Sequence, residues 1–173
     1  YFQSNNQLVI LNIYDANYNF AQPPFAPTLT AIPGDGKVTL GWDSVSVASF
    51  DRFTQEFDFE GYRLYKGTNN ILSDARTITN VNGTPTFYEP LAQWDLVNGI
   101  TGPLPVLDNT ASYNLGDDTG LQYFYVDEEV TNGVTYYYAL VAYDRGVIDS
   151  TGRVEIDPQE NVFNFGVDQF FNL

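Results

Sequence analysis

Apolar and polar residues alternate through Lys37 to Trp42, with Val38, Leu40 and Trp42 on one face and Thr39 and Gly41 on the other. A period of two marks a strand with one buried face. After a Thr131-Asn132-Gly133 turn, Val134 to Tyr143 repeats the pattern, with Tyr136, Tyr138, Leu140 and Ala142 sharing a face. The opposite face carries Tyr137, Ala139, Val141 and Tyr143, too apolar to stand in water, so a further layer is expected over it. Phe59 to Lys66 reads as a third strand of this kind, with Tyr62 and Leu64 opposite Arg63 and Tyr65. Thr28 to Ile32 is expected as the first strand, closed by a Pro33-Gly34-Asp35-Gly36 turn. Gln122 to Asp127 reads as another strand. Val154 to Ile156 and Val162 to Val167 supply the last, with Pro158 at an edge or a bend.

Elsewhere the alternation fails. Ser44 to Gln55 and Asp144 to Gly152 read as loops, and from Gly67 to Leu121 single apolar residues stand among Asn, Thr, Gly, Pro and Asp. Within that stretch Arg76 to Thr79 and Thr86 to Tyr88 are expected as short strands and Ala92 to Leu96 as a single turn. So long a structureless run is rare in a compact domain, so packing against the sheet should order it, with Trp94 covering the outer face. Upstream, the prolines of Gln22 to Pro27 impose a stiff, extended path. The apolar run from Leu8 to Tyr14 fits a strand or a helical turn equally well. Tyr1 to Ser4 resembles the remnant of a cleaved expression tag, and the chain is expected to be part of a longer protein. The division that follows is 1–6 tag remnant, 7–26 flanking segment and proline-rich linker, 27–168 sandwich with 67–121 as an insertion, and 169–173 tail.

The length of 173 residues exceeds the roughly 100 that a small sandwich requires, in keeping with an insertion. A hydrophobic fraction of 43% argues for a packed core rather than disorder. Seven basic residues against 22 acidic ones give a net charge of −15, a field that repels phosphate backbones and anionic headgroups. Nucleic acid and membrane-surface partners are therefore not expected. No apolar run is long enough to span a bilayer, so membrane insertion is not expected either. With neither Cys nor His, the chain cannot form a disulfide, a Ser-His-Asp triad or a His-ligated metal site.

Catalysis would fall to carboxylate pairs, and acidic residues are too numerous for any pair to stand out. No enzyme activity is expected. Asp15-Ala16-Asn17-Tyr18-Asn19 begins like a calcium-binding EF-hand loop, but Phe20 and Ala26 occupy its required Gly and Glu positions. Asp117 and Asp118, with Asp127 near in sequence, could gather oxygens around calcium, the single cofactor the residues leave open. The same Asp and Gly residues equally suit tight turns. Trp94, Tyr88 and Tyr113 could offer planar faces to a sugar, or could be core. Asn82-Gly83-Thr84 fits a glycosylation acceptor by chance as readily as by design.

Pro27 to Trp42, Phe59 to Gly67 and Phe124 to Tyr143 together resemble strands A, B, C, E and F of a fibronectin type III domain. Trp42 matches that family's buried strand B Trp, and Tyr62 and Leu64 its inward strand C pair. Gly133-Val134-Thr135-Tyr136 matches the turn into the Tyr that caps the E to F corner. The resemblance implies an all-β, antiparallel, immunoglobulin-like β-sandwich with a long insertion between strands C and E. DFEGYRLYKGT, YNLGDDTGLQYFYVD and NGVTYYYALVAYDRG are similar to an elaborated form of the domain in large secreted bacterial surface proteins. The implied function is a non-catalytic structural, adhesive or spacer module, extracellular or at the cell surface, whose partners are neighbouring domains or a surface glycan or protein. A carbohydrate-binding accessory module and a calcium-stiffened interaction domain stay open as alternatives.

Overall fold

Strands form where the alternation runs, and the described residues are all-β apart from one short 3-10 turn at Val45–Ala48. The computed structural model describes residues 20–75, 77–80, 82–107, 111–165 and 167–168. The expected tag remnant, the flanking segment up to Asn19, Arg76 and the tail 169–173 lie outside the described residues. In chain order the strands are β1 (Leu29–Gly34), β2 (Lys37–Trp42), β3 (Phe59–Gly67), β4 (Thr77–Thr79), β5 (Pro85–Tyr88), β6 (Ala92–Asp95) and β7 (Pro103–Pro105). Then come β8 (Ser112–Asn114), β9 (Phe124–Asp127), β10 (Tyr137–Asp144), β11 (Val147–Ile148), β12 (Val154–Ile156), β13 (Asn164–Phe165) and β14 (Val167–Asp168).

These strands make two four-stranded sheets, in the orders β14-β1-β2-β9 and β13-β10-β3-β6, with three two-stranded ribbons. Within the two sheets the pairings are antiparallel except that of β1 with β14, which run parallel with Thr30 opposite Val167. The core lies between the sheets. Leu29, Leu40 and Trp42 from the first meet Phe59, Tyr62, Leu64, Tyr138, Leu140 and Ala142 from the second. Leu40, Leu64 and Leu140 are wholly buried, each stabilising the fold by ~1.5–3 kcal/mol. The rings of Trp42 and Tyr62 meet edge to face at 6.1 Å between centroids.

The second sheet is covered on its outer side as well, as the apolar character of that face required. Tyr65, Ala139 and Val141 lie under Leu72 and Tyr88, while Tyr143 packs with Leu104, Tyr113, Leu115 and Val154. The covering residues come from the 67–121 stretch, from the ribbon β11–β12 and, with Phe163, from the segment before β13. Apart from β6, which joins the second sheet, the insertion thus contributes a third layer rather than a loop.

Several elements differ from expectation for physical reasons. Ala92 to Asp95 is a strand, not a turn, because the open edge of β3 supplies hydrogen-bond partners from Gly61 to Leu64. Trp94 accordingly faces the interior opposite Tyr62, with Trp42 at 5.1 Å and Tyr125 at 5.6 Å between centroids, and does not cover the outer face. The first strand runs on to Gly34, and the turn shrinks to Asp35 and Gly36, with Gly36 at φ 62°. Val147 and Ile148 leave the expected loop to pair with β12. The last strand divides: β13 joins the second sheet beside β10, and β14 crosses to the first beside β1.

Gly61 marks the tightest approach between β3 and its neighbours. A Cβ there would stand 2.3 Å from the Trp94 carbonyl oxygen and 2.7 Å from the Tyr143 hydroxyl. Gly61→Ala should therefore cost at least about 1–3 kcal/mol through overpacking. Gly41→Ala, whose Cβ would find nothing nearer than 3.9 Å, should change stability by less than ~0.5 kcal/mol. Urea denaturation of the two variants separates these outcomes, and equal midpoints would contradict the reading.

Candidate functional site

The acidic candidates occupy separate places. Asp127, at the end of β9, accepts hydrogen bonds from Lys66 Nζ at 2.7 Å and from the Tyr138 hydroxyl at 2.6 Å, pinning the first sheet to the second. Burial opposes its charge, but these partners hold its carboxyl below the ordinary range. Asp118 instead accepts the backbone N–H groups of Asn98 and Gly99, at 3.0 and 2.9 Å, and so shapes the turn after β6. Asp117 is exposed beside it. The two sets share no partner, and among the described residues no group of three or more His, Cys, Asp or Glu is placed to hold a metal.

The aromatic candidates are likewise dispersed. Trp94 lies against the central core, and Tyr88 packs on Tyr65 and Phe163. Tyr113 is 2% exposed and lies beneath the Arg63 guanidinium, 3.8 Å from its ring centre.

Arg63 is the centre of a buried polar hub that sequence reasoning missed. Alternation along β3 turns it outward, where the insertion covers it. Its Nη1 donates to Glu160 at 2.9 Å and its Nη2 donates to the Asn114 carbonyl. Glu160 also accepts from the hydroxyls of Tyr113, at 2.7 Å, and Tyr65, at 3.2 Å. Burial first, and then Glu160, push the Tyr65 hydroxyl far above its usual range, so both phenols remain donors. The hub joins β3, β8 and the segment before β13. A lone Arg among aromatics, on a strand face already read as covered, was the available signal.

One end of the molecule concentrates charge differently. Asp51, Asp58 and Asp144 are each no more than 4% exposed. The Asp51 carboxylate accepts the backbone N–H groups of Phe53 at 2.6 Å and Gln22 at 3.1 Å, tying the leading segment to the loop before β3. Asp144 accepts those of Gly146 and Gln159, both at 2.9 Å. Arg145 Nη2 donates to Glu56 at 2.6 Å, and its backbone N–H donates to the Asp58 carbonyl at 3.1 Å. Burial, followed by the charges of Asp58 and Asp51, drives the Asp144 carboxyl up to about 7. Burial and Asp51 likewise raise Asp58. A cleft of about 380 Å³ opens here, lined by Phe53, Thr54, Glu56 and Asp58 on one side and by Arg145 to Ile148 on the other. Its lining sets the carboxylates of Glu56 and Asp58 and the Arg145 guanidinium among the apolar Phe53, Val147 and Ile148.

No protein-family profile matches this chain, and no curated protein is similar to it in sequence. No helix among the described residues is long and apolar enough to cross a membrane.

Proposed function

We propose that the chain is a non-catalytic structural or spacer module of the fibronectin type III kind, working within a larger secreted protein of a bacterial surface. The observation that carries the spacer reading is the parallel pairing of the first and last strands of the sandwich. Strands that run parallel side by side bring the polypeptide in at one end and send it out at the other, so successive modules line up rather than fold back. Rigidity within the module supports the same use, since the Arg63 hub fastens the outer layer to the sheet.

Three features favour the family reading. The strand orders match an A-B-E sheet facing a G-F-C-C′ sheet, with β6 in the C′ position. Trp42 is buried between the sheets. The Tyr136 hydroxyl accepts the Thr131 backbone N–H at 3.1 Å, the contact expected of a tyrosine corner. The secreted bacterial setting rests on the resemblance of the three sequence phrases alone. No observation favours the carbohydrate or calcium alternatives.

Two copies joined in tandem, the C-terminal strand of one leading into the N-terminal strand of the next, should scatter X-rays as an extended particle, with a maximum dimension close to twice that of one copy. A tandem no longer than a single copy would remove the spacer reading.

A further inference from the structure

The leading segment reaches the body of the molecule at the loop before β3, where the Gln22 N–H donates to Asp51. Phe20, Phe25, Phe50 and Phe57 are 58%, 57%, 43% and 62% exposed there. Phe25, Phe50 and Phe57 are drawn together by the loop before β3. Phe25 is stapled to the following loop twice: its N–H donates to Ser49 Oγ at 2.7 Å and its carbonyl accepts from Ser46 Oγ at 2.7 Å. Phe50 and Phe57 pack edge to face at 5.2 Å between centroids. Exposed aromatics gathered and held in this way mark an interaction surface.

The cleft described above opens beside Phe57, and its charge identifies the occupant. Asp58 lines it from a buried position, with Thr54 Oγ1 donating to it at 3.3 Å, and burial and the charge of Asp51 oppose its own charge. Arg145 lines the same cleft and its charge reaches Asp58, but its guanidinium is paired with Glu56 at 2.6 Å. The walls are the apolar Phe53, Val147 and Ile148. A long basic side chain satisfies both requirements, since its methylene stem covers apolar wall while its cationic head reaches carboxylate.

We propose that this end docks a protein partner through an extended segment that presents a Lys or Arg beside apolar residues, with the basic head in the cleft against Asp58 and the apolar neighbours on the Phe surface. A second copy of the chain is a poor occupant, because two bodies of charge −15 repel. Residues 1–19 hold no Lys or Arg and cannot fill the cleft in this manner.

The test uses the full chain and two fluorescent, acetylated peptides, one alternating Lys with Leu and the other carrying norleucine at each Lys position. Fluorescence anisotropy should show the Lys peptide binding at least about tenfold more tightly than its neutral twin, with affinity falling as salt rises. Asp58→Asn, which removes a poorly compensated buried charge and keeps the shape, should weaken it about tenfold, and the surface change Phe57→Ser should do so as well. Circular dichroism of both variants verifies that they are folded. Equal binding of the two peptides, no binding to the full chain, or binding indifferent to both substitutions would each overturn the proposal. So would self-association in sedimentation that Phe57→Ser abolishes, because a second copy would then hold the surface.

Discussion

Arg63→Ala should lower stability by about 3–5 kcal/mol, the scale for removing one partner of a buried, hydrogen-bonded ion pair. Its guanidinium donates to Glu160 and to the Asn114 carbonyl, and its flat face lies over Tyr113. Truncation leaves the Glu160 carboxylate facing two phenols without its cation and opens a cavity under the outer layer. A thermal midpoint lower by roughly 6–20 °C corresponds to that cost for a chain of this size. Because the hub fastens the insertion, cleavage by a nonspecific protease within 67–121 should accelerate as well. In a double-mutant cycle, Arg63→Met with Glu160→Leu should cost clearly less than the two single changes summed, since an apolar pair leaves no stranded charge. An Arg63→Ala midpoint within a degree of the parent would refute the hub's importance.

Acidification from pH 7.5 to pH 5 should stabilise the protein, the reverse of the usual trend. Two buried carboxyls are responsible. Burial raises Glu60 to about 7 from an ordinary 4.5; the Asn98 amide and Arg145 oppose the rise, and Asp95 and Asp118 add to it. Asp144 rises to about 7 from 3.8 through burial; the Gln159 and Gly146 amides oppose the rise, and Asp58 and Asp51 add to it. A carboxyl whose folded value lies above its unfolded one binds its proton more tightly when folded. Between the two values the native state holds more protons, so stability falls as pH rises through that window and is regained as pH drops.

The combined gain at pH 5 is on the order of 2–4 kcal/mol, or roughly 5–15 °C in Tm. Asp127 acts in the opposite sense: its folded value is depressed, so its contribution is present above about 3.9 and lost at lower pH, which places the optimum in the mildly acidic range. Melting curves across pH 4.5 to 7.5 check this, with Asp144→Asn as the comparison. Asn keeps an acceptor for the two amides but carries no charge, so it should raise Tm at pH 7.5 and flatten the profile. A parent Tm that declines steadily from pH 7.5 to pH 5 would contradict the assignment.

The central strands were legible because burial on a pleated surface writes itself at every second position. Val38, Leu40 and Trp42 needed no context to be assigned inward, and they face the core. The outer layer was legible only as a requirement: Ala139 and Val141 demanded a cover, but nothing in the residues from 67 to 121 said which would provide it. Ala92 to Asp95 shows why. Four residues without alternation become a strand because a distant edge offers them hydrogen bonds, a fact carried by β3 and not by their own letters.

The candidate cleft was less visible still. Asp51 and Asp58 stand seven residues apart, but Asp144 lies far along the chain from both, and nothing in the letters brings it to them. In a chain with 22 acidic residues only folding distinguishes the few that are buried. Arg63 was closer to recognition, since a cation placed opposite Tyr62 and Leu64 on a doubly covered strand must find a partner, although Glu160 could not be named from spacing.

The best-sheltered pair of strands, β3 and β10, is joined by the entire insertion, with Leu64 opposite Leu140. A long loop must close before that pairing yields anything, so refolding from denaturant should be slow for so small a protein. The same strands, sealed on both sides, should hold the slowest-exchanging amide hydrogens in the molecule. The fold is therefore built to come apart rarely once it has formed.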